Sequence, residues 1–97
     1  MSTEAHHGLA LIEEARAALD GVHRAALAAD AGGLRRGLGL AESALEGALG
    51  SNLEGDAGRA VSEVREMLAN AAADLDSGKL VEMELLVEAA RSKLAAV

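Results

Sequence analysis

Apolar residues recur along this chain at alternating gaps of three and four, the spacing of one face of an α-helix. The rhythm is plainest toward the end. Val61, Val64, Leu68, Ala71 and Leu75 form one stripe, and Leu80, Met83, Val87, Ala90, Leu94 and Val97 form another. They are separated by the turn signal Asp76-Ser77-Gly78. Two stripes joined by so short a turn fold back antiparallel and bury their faces together. Upstream, Ile12, Ala15, Leu19, Val22, Ala26 and Ala29 make a heptad-like seam, widened by Leu11 and Leu27. Leu34, Leu38, Ala41, Leu45 and Ala48 make a further one, with Leu40 and Leu49 beside it. The four periods predict helices over residues 3–29, 33–49, 54–75 and 77–96, all within one domain spanning residues 1–97. Four amphipathic helices with short glycine-rich turns predict an all-α fold, an antiparallel up-down four-helix bundle.

The residues between the stripes predict how each helix starts and stops. Ser2 or Thr3 is placed to cap the first helix, with Glu4 at its positive end. Asp30-Ala31-Gly32-Gly33 ends that helix, and Gly32 is the expected left-handed cap. Ser51 with Glu54 fits the S-x-x-E capping box, and Asp76 or Ser77 is the expected cap of the last helix. Asp20 and Arg24, four apart, are expected to pair along the first helix.

Two features of the pattern stand apart from a regular bundle. The second helix carries Gly37, Gly39 and Gly47 in its interior, each costing about 1 kcal/mol relative to alanine. They either permit close approach of a neighbouring backbone or leave a soft helix that adapts to a partner. The fourth helix carries Val81, Leu85 and Ala89 on a side roughly opposite its main seam. That strip is either buried between two layers or exposed as a place for another helix to dock.

Composition narrows the chemistry. The 97 residues include no cysteine, no proline and no aromatic side chain. A disulfide framework and a thiolate metal site are therefore ruled out, and the core is left to Leu, Val, Ala and Met. Nine basic residues against sixteen acidic ones give a net charge of −7. Phosphate backbones and anionic lipid surfaces both demand a basic footprint, so neither nucleic acid nor membrane is an expected partner. No apolar run approaches the roughly 20 residues that span a bilayer. Met1-Ser2-Thr3-Glu4 shows no basic segment leading into an apolar one, and a cytoplasmic location is expected.

No candidate catalytic group has a complete setting. His6 and His7 are adjacent, so on a helix they point about 100° apart and cannot chelate one ion together. His23 lies at the edge of the first seam beside Leu19 and Leu27. Histidine phosphotransfer domains are bundles of similar size, in which lysine and glycine follow the active histidine by three and four residues. Here those positions are Ala26 and Leu27. None of Glu13, Glu14, Glu82, Glu84 or Glu88 lies three residues before a histidine, as a di-iron bundle requires. There is no nucleophile elbow and no phosphate-binding loop. The expectation is a protein that is not an enzyme, with no cofactor and no metal.

From Asp30 onward the chain resembles the flagellar export chaperones of the FliS type, helical bundles that hold flagellin before secretion. The similar pattern runs through Asp30, Ala41, Leu45, Leu49, Ser51 and Leu53 to an acidic-glycine turn at Glu54-Gly55-Asp56. It ends in Asp76, Leu80, Glu82, Leu86 and Arg91, with Leu94 where the family has tryptophan. Over a shorter span, Leu53-Glu54-Gly55 followed by Ala57, Ala60 and Val61 is similar to the bend of secreted WXG100-class helical hairpins. The first resemblance implies a non-catalytic module that holds an amphipathic helix of a secreted or assembling protein, and the strip of Val81, Leu85 and Ala89, read from spacing, is the expected contact. The second implies a secreted hairpin dimer. A homodimer that covers the Val81–Leu85 strip, and an engineered or purely structural bundle without native ligand, are the remaining expectations.

Overall fold

The computed structural model describes residues 3–51, 53 and 55–97, with side chains described from His7 onward. Helix α1 is Thr3–Leu27, α2 Ala31–Leu49, α3 Gly55–Asp76 and α4 Leu80–Ala95. They form an antiparallel up-down-up-down four-helix bundle, 44 × 19 × 18 Å overall. Each helix packs on its sequence neighbour, and α1 meets α4 to close the ring.

The core is continuous and aliphatic. Ile12, Ala15, Leu19 and Val22 of α1 face Leu34, Leu38, Ala41, Leu45 and Ala48 of α2. Val61, Val64, Leu68, Ala71 and Leu75 of α3 and Met83, Val87, Ala90 and Leu94 of α4 complete it. Three positions expected in the seams lie elsewhere. Ala29 sits in the turn after α1, while Leu80 and Val97 stand exposed at either end of α4. A stripe loses its burial where the neighbouring helix ends. The α1 seam ends at Ala25, which is buried beside a half-buried Ala26.

The two three-residue turns within the hairpins share one geometry. After α1 the Asp30 amide donates to the Ala25 carbonyl and the Ala29 amide to Ala26. After α3 the Lys79 amide donates to Asp74 and the Gly78 amide to Leu75. Both are Schellman closures, which need a left-handed residue just past the helix. Gly78 supplies it at φ 76°, but in the first turn Ala29 does so at φ 54°. Gly32 is therefore not the cap. Asp30 caps α2 instead, its side chain accepting from the Gly33 amide at 3.0 Å, and so the two glycines fall within the first turn of α2. Likewise α4 starts after Lys79, which makes no side-chain cap, rather than at Asp76 or Ser77. The hydroxyl of Ser51 donates to the Gly47 carbonyl at 3.1 Å and closes the end of α2. Glu54, its expected capping partner, lies outside the described residues, as do Ser2 and the side chains of Thr3, Glu4 and His6.

The glycines of α2 divide into two kinds. A Cβ on Gly37 would stand 2.5 Å from Val22 Cγ2 and 3.3 Å from the Ala18 carbonyl oxygen. One on Gly47 would stand 2.9 Å from Leu11 Cδ1. Gly37 lets the backbones of α1 and α2 approach closely, as small residues at helix crossings do, while Gly47 makes room for the Leu11 side chain. Nothing lies within 4 Å of a Cβ on Gly39. There the helix carries the propensity cost with no packing return.

Candidate partner-binding surface

Helix α4 buries the face bearing Met83, Val87, Ala90 and Leu94, so residues half a turn away point to solvent. Val81 is 67% and Leu85 66% exposed. Ala89, one turn further on, is also exposed. The strip is an outward face, not a second buried layer. Its rim is acidic, since Glu82, Glu84 and Glu88 alternate with it along the helix. Glu82 and Glu84 make no ion pair among the described residues.

Beside this strip runs a groove between α1 and α4 of about 310 Å³, whose floor includes Val22, Ala26, Met83 and Val87. Leu27, 78% exposed, and Glu84 stand at its edge. Leu80, half-exposed, adds to the apolar surface at this end of α4. Apolar surface that sequence reading had assigned to the seams, at Leu27 and Leu80, is thus displayed at the same end of the bundle as Val81 and Leu85. Periodicity alone could not show this, because it marks a stripe without marking where its partner helix stops.

Further along the α1–α4 seam the surface turns polar. Arg91 donates to Asp20 at 2.9 Å and to Glu88 at 2.8 Å. These two carboxylates raise the guanidinium's pKa above its ordinary value, the hydrogen bond to Glu88 first and that to Asp20 next. Asp20 therefore pairs across helices and not with Arg24, because α4 presents a guanidinium that can bridge two acids at once. His23 Nδ1 lies 3.2 Å from Glu88 Oε1 with its ring partly exposed. Behind it Ala26 and Leu27 occupy the positions three and four residues on. His7 is exposed. Among the described residues no group of three or more His, Asp or Glu could hold a metal ion.

Compared with family models, curated proteins and solved structures, the chain matches none. No helix of the described residues is long and apolar enough to cross a membrane. What α4 offers is a short aliphatic strip, an adjoining apolar groove and an acidic rim, an arrangement suited to binding an amphipathic segment.

Proposed function

We propose that this protein is a non-catalytic helix-binding module, chaperone-like in the manner of the FliS-type export chaperones, acting in the cytoplasm. It holds an amphipathic helix of a secreted or assembling protein along Val81, Leu85 and Ala89. The observation that carries the reading is the exposure of Val81 and Leu85 on one outward face of α4, with Leu80 and Leu27 displayed at the same end. Fully burying such a side chain contributes about 1.5–3 kcal/mol, less for Val81 and Leu85, which are already about a third buried, and charge pairing at the helix flanks adds to it. Glu82 and Glu84, free of ion pairs among the described residues, favour a partner helix flanked by Lys or Arg and steer its approach.

The test is capture from the source cell on immobilised protein, followed by identification of what is retained. The double variant Val81→Asp with Leu85→Asp is expected to lose the captured helix while its far-ultraviolet circular dichroism stays unchanged. Retention of the same partner by that folded double variant would move the site off α4.

A further inference from the structure

A second apolar surface lies on the other side of the molecule, where α1 and α2 face solvent together. A groove runs between these helices in two lobes of about 670 and 480 Å³ that share Ala17, Ala18 and Leu40. Leu40 stands between the lobes and is 60% exposed, although it belongs to a helix whose other leucines are buried or half-buried. The first lobe is edged by Glu14 and the second by Arg24 and Arg36. None of these three makes an ion pair among the described residues. Asp30, also at the second lobe, has its carboxylate engaged by the Gly33 amide. The surface therefore has a negative end, a positive end and an aliphatic knob at its middle.

A surface of that kind is complementary to itself turned end for end. Along α1 the residues on this side are Ala10, Glu14, Ala17, Gly21, Arg24 and Ala28, spaced alternately by four and three. That is the spacing of a coiled-coil seam, here on the solvent side of a helix that already has a buried one. A two-fold axis crossing α1 midway between Ala17 and Gly21 sets Ala10 against Ala28, Glu14 against Arg24 and Ala17 against Gly21. The small side chains allow the two copies of α1 to approach closely, and the Glu14–Arg24 pairing occurs twice. Leu40, level with Ala17 and Ala18, then meets its own copy near the axis. No comparable arrangement exists on α4, where an antiparallel copy centred on Leu85 places Glu82 against Glu88. We propose that the chain forms a two-fold homodimer through the α1–α2 face, leaving the α4 strip free for its helical partner. A net charge of −7 on each chain opposes unspecific self-association, so the register in which unlike charges meet is selected.

Sedimentation equilibrium from micromolar to millimolar concentration tests this. A reversible dimer is expected, weakened by added salt. Leu40→Glu is expected to give a monomer with unchanged helicity. Glu14→Arg and Arg24→Glu are each expected to weaken the dimer by about tenfold or more, and the two combined to restore it. A monomer at every concentration would overturn the proposal. So would a dimer indifferent to Leu40→Glu, or a combined charge reversal no tighter than either alone.

Discussion

Replacing Gly39 and Gly37 by alanine, one at a time, separates helix propensity from helix packing within a single turn of α2. At Gly39 nothing lies within 4 Å of the added methyl, so only the backbone responds. Alanine in a helix interior is favoured over glycine by about 0.8–1.0 kcal/mol, and Gly39→Ala is expected to stabilise by that amount. At Gly37 the same propensity gain applies, but the methyl meets Val22 Cγ2 at 2.5 Å and the Ala18 carbonyl oxygen at 3.3 Å. Val22 is 1% exposed and has nowhere to turn, and the Ala18 oxygen belongs to the backbone of α1. Overpacking of this kind costs about 1–3 kcal/mol. Subtracting the propensity gain leaves Gly37→Ala between about neutral and about 2 kcal/mol destabilised. The two variants thus differ by about 1–3 kcal/mol although they sit two residues apart. Urea unfolding followed by circular dichroism at fixed protein concentration measures it, the chain having no aromatic residue to report by fluorescence. With a slope of about 1 kcal/mol per molar, the midpoints separate by about 1–3 M. Equal midpoints for the two variants would refute the close approach of α1 and α2 at Gly37.

Three further outcomes follow from the same structure. Ala29→Gly is expected to raise stability by about 0.5–1 kcal/mol, since Ala29 holds the left-handed conformation that costs an L-residue more than glycine; an unchanged unfolding midpoint would contradict it. Leu68→Ala is expected to cost about 2–5 kcal/mol, because Leu68 is fully buried at the centre of α3; a loss below about half a kcal/mol would mean that its seam is misplaced. The Glu63 carboxyl is held below its ordinary value of 4.5, first by the hydrogen bond from Lys93 and then by the charge of that ammonium. Its contribution to stability is present above the unfolded value and is lost as pH falls through the lower folded value. Titration by nuclear magnetic resonance is expected to show the Glu63 carboxyl moving up toward the ordinary value in Lys93→Met.

The two C-terminal helices were nearly complete in the pattern of the chain. Val61, Val64, Leu68, Ala71 and Leu75 are all buried, as are Met83, Val87, Ala90 and Leu94. Large aliphatic residues at helical spacing leave a chain no better place to put them. Leu27 and Leu40 show where that reasoning stops. Each lies beside a seam in sequence, and each is exposed, because an angle of some 100° from the stripe falls inside or outside according to the next helix's position. Alanine is weaker still as a signal. Ala15 is buried and Ala17 exposed, and the small difference in free energy between the two placements leaves no mark on composition. The Val81–Leu85–Ala89 strip could be located from spacing, but its exposure required knowing that no further helix covers α4. The Ala29 turn was hidden for a different reason. A left-handed alanine is disfavoured locally and is accepted because Asp30 caps the next helix at once.

The ion pairs divide the bundle unequally. Between α1 and α2 there are none among the described residues, and that hairpin is held by aliphatic contact and by backbones brought close at Gly37. The α1–α2 pair is joined to the α3–α4 pair by Arg35 with Asp76, Arg65 with Glu46 and Arg91 with Asp20, all at or near the surface. Each such link contributes at most about 1 kcal/mol and is screened at physiological ionic strength, where the Debye length is about 8 Å. Ionic strength therefore acts on the joint between the two halves and, through Lys93 with Glu63, on the α3–α4 hairpin. Raising it slackens the seam between the two halves and leaves the glycine-knit half as tight as before. Salt and heat thus work on different contacts of the same molecule, salt on the surface ion pairs and heat on the aliphatic core that all four helices share.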